Sequence, residues 1–275
     1  ILKDASATAI YGAQGANGVI IVTTKTGENS TSKVNVNFGV KAGFSELFRT
    51  LDLMNAEGFA RYNNERQHYN KTSSPEPGVG YAPTYTKYPN KYLDPAALGE
   101  GTDWIDAMTY RAPYQQYNLS VNGGTKTTNY YASLNYTDNM GIIHDTGAKN
   151  VTAKLTVGHQ FTKWLKLIYA HNTVYRKLLN NKANVGGKSL WNGVIYLSPA
   201  LDIDATINDL YDYGNGQVFN NPYITVQQSK KYTEVLSSFD MLIARFTPVK
   251  GLTIESKNAL SLNQNHQFTF NPGTL

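Results

Sequence analysis

The sequence predicts an all-β chain, an antiparallel sheet of the transmembrane barrel type, on three observations. Runs of strand length alternate apolar and polar side chains, and the connections between them alternate short and long. No apolar stretch approaches the roughly 20 residues of a membrane helix, whereas a barrel strand crosses with about 9 to 11 residues of alternating character. Composition agrees: of 275 residues 41% are apolar, only 16% are charged and 20 are tyrosine. That balance suits β structure whose two faces meet different media.

The first strand is the clearest. Val34, Val36, Phe38, Val40 and Ala42 alternate with Lys33, Asn35, Asn37, Gly39 and Lys41. The same period of two returns in Tyr117, Leu119 and Val121, in Tyr130, Ala132, Leu134 and Tyr136, and in Val151, Ala153, Leu155 and Val157. Three later runs, Leu165 to Tyr175, Val235 to Arg245 and Leu252 to Leu262, keep strand length but break phase, as bulges would make them do. Together these give about seven strands. Short turns are expected at Gly123 to Lys126, around Thr162 to Trp164 and at Pro248 to Gly251, and long connections at about 44–113, 140–149 and 178–232. Every long connection then falls on one rim, the rhythm of an up-and-down outer-membrane barrel. Phe161, Trp164 and Phe246, beside the short turns, suit either an interfacial girdle or ordinary rim packing. Within the first long connection, Leu53, Phe59 and Tyr62 have helical spacing and predict a short helix in Leu51 to Tyr69.

Ahead of the strands lies a glycine-rich stretch. A helix-compatible run, Asp4 to Ile10, meets Gly12, Gly15 and Gly18, and an apolar strand, Val19 to Thr24, follows. A phosphate-cradling loop runs in the opposite order, strand to glycines to helix, so a nucleotide site is not expected. The glycines instead permit positive φ in a tight crossover.

This stretch closely resembles the end of the plug domain of SusC/RagA-type TonB-dependent outer-membrane transporters. The residues that carry the resemblance are Leu2, Lys3, Asp4 and Ala5, then Tyr11 and Gly12, then Gly15, Ala16, Asn17, Gly18, Val19 and Ile20. It continues through Leu51 to Met54, Gly101 to Trp104, Arg111 to Pro113, Asn118 to Gly124, Tyr130 to Ser133, Gly141 to Ile143 and Asn221 with Pro222. It implies that residues 1–27 end a plug, 28–32 link, and 33–275 begin a plugged barrel of roughly 22 strands. On the same footing Lys3, Asp4, Tyr11, Gly12, Gly15, Asn17 and Gly18 would be structural parts of a gate.

The activity the resemblance implies is active import of oligosaccharides or other oligomeric nutrients, peptides included. Its partners would be a SusD-like surface lipoprotein acting as a lid, the TonB–ExbB–ExbD energy-coupling complex engaged through a preceding segment, and outer-membrane lipid. The location would be the outer membrane of a Gram-negative, Bacteroidota-like bacterium. A start at Ile1 without Met or leader, and a stop at Leu275 straight after a strand-like run, lead one to expect an internal piece of a longer protein.

No catalytic constellation is legible, so no enzyme and no cofactor are expected. His68, His144, His159, His171 and His266 stand apart, without zinc-ligand spacing. Asp202, Asp204, Asn208, Asp209 and Asp212 lack the glycine and closing glutamate of a calcium loop, so no metal is assigned. The net charge of +5 comes from basic residues scattered along the chain, which reads as a solvated surface and not as a nucleic-acid footprint. The absence of cysteine suits an envelope compartment. Aromatics gather in the long connections, notably Tyr81, Tyr85, Trp191, Tyr211 and Tyr213. Their faces would stack on sugar rings or peptide side chains; self-packing of the loops is the other reading. Two further classes fit part of the pattern: an extracellular glycan-binding or adhesin module, and a surface glycan hydrolase.

Overall fold

The computed structural model describes residues 12, 17–20, 33–72, 93–180, 190–205 and 221–271. Seven strands form one sheet: β1 (Asn35–Ser45), β2 (Ala112–Gly124), β3 (Thr128–Met140), β4 (Thr146–Thr162), β5 (Leu165–Asn180), β6 (Lys230–Val249) and β7 (Leu252–Phe270). Each pairs antiparallel with the next in chain order. The sheet is therefore a pure meander, with β1 and β7 as its edges. Among the described residues, four α-helices lie in the connections, α1 (Ala56–Thr72), α2 (Trp104–Met108), α3 (Leu190–Tyr196) and α4 (Pro222–Gln228), with a 3-10 turn at Pro95–Leu98.

Register turns the sequence alternation into two distinct faces. Val36 pairs with Val121, Val121 with Ala132 and Ala132 with Leu155. Phe38, Leu119, Leu134 and Ala153 make the next row on that side. The opposite face carries Asn37, Ser120, Ser133 and Lys154, then Gly39, Asn118, Asn135 and Thr152. Among the described residues nothing covers the apolar face: Phe38 is 69% exposed, Leu134 50% and Leu260 58%. A continuous apolar sheet face of this extent is incompatible with water and demands an apolar medium. The fold is a section of antiparallel barrel wall, with hydrocarbon outside and a polar lumen inside.

Three details differ from the sequence expectation. The connection expected over 140–149 shrinks to residues 141–145, because β3 and β4 stay paired as far as Met140 and Gly147. It is closed by Gly141 N–H donating to Thr146 O at 2.8 Å and Thr146 Oγ1 donating to Ile143 O at 2.7 Å. The register shifts also lie elsewhere, at Gln160/Thr162 and Phe246/Val249 beside the short turns. The broken phase of β5 and β6 comes instead from mixed faces: His171, Thr173, Ser238 and Asp240 sit on the outer side, Ile168, Phe239 and Met241 on the inner. Finally, the helix begins at Ala56, not near Leu51, since Asn55 Oδ1 accepts from Gly58 N–H at 2.9 Å and caps it there.

Candidate functional site

The buried core of the described residues lies in the long connections, not in the sheet. Trp104, Ile105 and Met108 of α2 pack with Leu190 and Val194 of α3, Leu197, Leu201 and Val226 of α4. Polar bonds fix this cap. Asp103 Oδ1 accepts from Ile105 N–H at 2.9 Å and Asp106 N–H at 3.0 Å, which starts α2 and aims Trp104 inward. The Trp104 indole Nε1–H donates to Ser198 O at 3.0 Å, and Thr102 donates through N–H to Pro199 O and through Oγ1 to Leu201 O. Gly101 has φ +72°, and a Cβ there would lie 2.2 Å from Pro199 O, so only glycine lets the two strands of loop approach this closely.

Asn221 does the same for the third connection. Its Oδ1 accepts from Tyr223 N–H at 2.9 Å to cap α4, while Nδ2 donates to Ile203 O at 2.9 Å and Ala205 O at 3.0 Å. The turn at 141–145 joins in through Tyr110, whose N–H donates to Ile142 O at 2.9 Å and whose ring stacks on His144 at 4.5 Å. Burial, reinforced by the charges of Asp145 and Asp138, pushes the Tyr110 phenol above its ordinary pKa. The described parts of all three long-rim connections thus form one folded cap. A cleft of about 620 Å³ opens beside it, lined by Asp52, Met54, Phe59, Tyr62, Trp104 and Val194 among others.

Of the loop aromatics, Trp191 and Tyr223 are each partly buried against the cap core. Tyr196 is 59% exposed. Tyr81, Tyr85, Tyr211 and Tyr213 lie outside the described residues, as do Lys3, Asp4, Tyr11 and Gly15 of the glycine-rich stretch. Gly12 and Gly18 are described, and both have the positive φ expected of them, 61° and 98°.

On the outer face, two aromatic bands bracket the apolar rows. At the short-turn rim Trp164 meets Phe246 edge-to-face at 5.2 Å and His159 meets Phe161 at 4.5 Å. At the other end Tyr117 stacks on Tyr136 at 6.2 Å. One row beyond, charge appears as neutral pairs, Lys149 with Asp138 at 3.2 Å and Lys177 with Glu234 at 2.9 Å. That order, aromatic, apolar, aromatic, charged, is the profile of a wall crossing about 25 Å of hydrocarbon.

Within the band sits a polar group that reading each histidine alone does not reveal. Asp240 Oδ1 accepts from Tyr169 OH at 2.6 Å and lies 2.8 Å from His171 Nδ1; Thr173 Oγ1 is 2.7 Å from His171 Nε2. Thr173, His171 and Asp240 follow the order of a nucleophile, base and carboxylate. The amides of β5 are committed to β4 and β6, so no pair of donors is offered to an oxyanion, and the set is a cross-strand pin. Among the described residues, no three acidic or histidine side chains are grouped to hold a metal.

The inner face has its own chemistry. It carries amides and hydroxyls on β1 to β4, and its charged side chains are almost all basic: Lys41 on β1, Lys154 on β4, Arg176 on β5 and Lys257 on β7. The signal was available in the sequence as parity. Each of these lysines and arginines occupies the position between two outward residues of its strand.

No protein-family model matches the chain. It is 33% identical over 162 residues to the TonB-dependent receptor SusC of Bacteroides thetaiotaomicron, covering 58% of this chain and 14% of that protein. It is 28% identical over 225 residues to TonB-dependent receptor P26 of Formosa agariphila, covering 81% and 20%, and 27% identical to TonB-dependent receptor P3 of the same organism, covering 100% and 25%. The chain therefore spans a quarter or less of the length of these curated relatives. Among solved structures, the RagAB peptide transporter superposes with a TM-score of 0.72 at 23% identity, over 97% of this chain and 32% of that one. The RagAB peptide importer in its open-open state gives 0.71 at 23% identity, over 98% and 32%.

Proposed function

We propose that this chain, of the SusC/RagA type of TonB-dependent receptor, forms part of the wall and the extracellular cap of an outer-membrane importer of oligomeric nutrients. The observation that carries this reading is the division of labour in the sheet. One face is apolar between two aromatic bands, the other is polar, and the folded cap stands at one rim only. An adhesin or a soluble glycan-binding module has no use for an unpartnered apolar face along β1 to β4.

In this reading the cap faces the outside, where a SusD-like lipoprotein closes over it, and the short turns face the periplasm. Energy comes from TonB acting on the plug, to which the glycine-rich stretch around Gly12 to Gly18 belongs. Oligosaccharides are the preferred cargo, with Trp191 and the aromatics Tyr81, Tyr85, Tyr211 and Tyr213 as contacts; the peptide transport named for the RagAB relative makes peptides the second candidate. The test is uptake by whole cells carrying the full-length protein. Labelled oligosaccharide or peptide should accumulate, and accumulation should vanish when TonB is deleted. Uptake that persists without TonB, or turnover of a glycan by the purified protein, contradicts the reading.

A further inference from the structure

Of the ten lysines and arginines within the seven strands, seven face the lumen side of the wall. On the outer face of the seven strands, Lys149, Lys177 and Lys230 are matched in number by Asp138, Glu234 and Asp240. On the inner face the single acid is Glu255, already shared between Arg245 Nη2 at 2.7 Å and Lys257 Nζ at 3.0 Å. The inner cations occur at successive levels. Lys231 lies nearest the cap; Lys41 and Arg176 share the row that runs through Gln116, Thr137 and Asn150; Lys154 is midway; Lys257 comes next. Lys166 and Arg245 pair at the short-turn end. Between the levels the wall offers Asn118, Asn135, Ser120, Ser133 and Thr152, all uncharged hydrogen-bonding groups.

We propose that the cargo of this wall is an acidic oligosaccharide, a glycan bearing carboxylate or sulfate groups; this rests on the import reading above and names its substrate class. Cations spaced along a low-dielectric channel attract anions over its whole length without a single deep trap, the arrangement by which basic rings select anions in pores. The amides and hydroxyls between them satisfy sugar hydroxyls. A plug filling the lumen has a different surface available, the apolar panel of Ile168, Phe239, Met241 and Ile243 on β5 and β6. Lys41 and Lys154 stand apart from that panel, among the hydroxyls and amides of β1 to β4.

The experiment uses the full-length receptor in detergent and in cells, with oligogalacturonate and a heparin-derived oligosaccharide as acidic probes, and a maltooligosaccharide and oligoglutamate of matched length as controls. At least one acidic glycan should bind about tenfold tighter than the neutral glycan, with the preference shrinking as salt rises. The triple variant Lys41→Gln, Lys154→Gln, Arg176→Gln should bring that preference to within about twofold, while Lys149→Gln with Lys177→Gln on the outer face leaves it intact. Equal binding of the neutral glycan overturns the proposal, as does oligoglutamate binding as tightly as the acidic glycans. Inner-face variants that raise bilayer conductance through a loosened plug but leave the preference unchanged also overturn it. TonB-dependent uptake of a neutral oligosaccharide without acidic preference would sink this inference alone; loss of TonB dependence would sink the import reading.

Discussion

The indole of Trp104 donates to the carbonyl oxygen of Ser198 at 3.0 Å, and this bond ties the first long connection to the third across 94 residues of chain. Trp104 is 2% exposed, so the bond is made in the dry centre of the cap. Replacing Trp104 by Ala should cost the cap about 3 to 5 kcal/mol through lost burial and the cavity left behind. Trp104→Phe keeps most of the apolar area and removes one of the two donors to Ser198 O, which still accepts from Leu201 N–H, so it should cost only about 1 kcal/mol. Limited proteolysis of the full-length protein should show the cap connections cut faster in the order Ala, Phe, wild type, while the barrel keeps its heat-modifiable mobility.

Gly101 allows a more severe test with a single methyl group. A Cβ there meets Pro199 O and the Cβ of Ala56 at 2.2 and 2.5 Å, and the backbone is in the left-handed region. Gly101→Ala should therefore open the cap at least as much as Trp104→Phe, read by the same proteolysis. Gly43, on β1 with nothing near its missing Cβ, should accept Ala without change.

The pin formed by Tyr169, His171, Thr173 and Asp240 lies on the hydrocarbon side of the wall, where an unpartnered polar group is costly. Asp240→Leu alone should lower the folded fraction in lipid vesicles, because His171 and Tyr169 lose their acceptor. His171→Leu combined with Asp240→Leu should recover part of that loss, since the His171–Asp240 pair then becomes apolar and only the Tyr169 hydroxyl is left without its acceptor. A double variant that folds worse than Asp240→Leu would show that the pin contributes more than mutual satisfaction.

The 275-residue chain by itself should fail to insert as a folded unit. Among the described residues β1 and β7 are open edges of the sheet, and hydrocarbon leaves open edges unsatisfied. Refolded into lipid vesicles, it should aggregate or remain fully digestible by protease, in contrast to the full-length receptor. A protected, monomeric barrel from this chain alone would contradict the topology.

How much of this was visible in the sequence depended on whether the two faces of a strand differ. In β1 to β4 they do, so Val36, Phe38 and Val40 announce the strand and its orientation together. In β5 and β6 they do not: Asp240 is tolerated outside because Tyr169 and His171 neutralise its need for water, and Phe239 and Met241 lie inside. Strand length was legible there and facing was not. The turn at 141–145 was overestimated because its closure depends on Thr146 reaching back to Ile143, a bond that composition does not advertise. The cap escaped sequence reading almost entirely, since Trp104 and Val194 come from distant connections and meet only in three dimensions. The cations of the inner face were seen as scattered because their ordering principle is parity against the apolar positions, not proximity in sequence.

These 275 residues hold no cysteine, so the two-faced wall is measurable by cysteines introduced into it, in a full-length receptor freed of any cysteine elsewhere. Single cysteines placed in the full-length receptor at Leu134, Leu155 and Leu260 on the outer face, and at Ser133, Lys154 and Ser261 on the inner face, can be read in native outer-membrane vesicles. The outer set should resist a water-soluble maleimide, and fluorophores attached there in detergent should be quenched by lipid-borne nitroxide after reconstitution. The inner set should show no lipid quenching and should label wherever the lumen is open to water. Equal lipid quenching at both sets, or free aqueous labelling of the outer set, would contradict the account of this sheet as barrel wall.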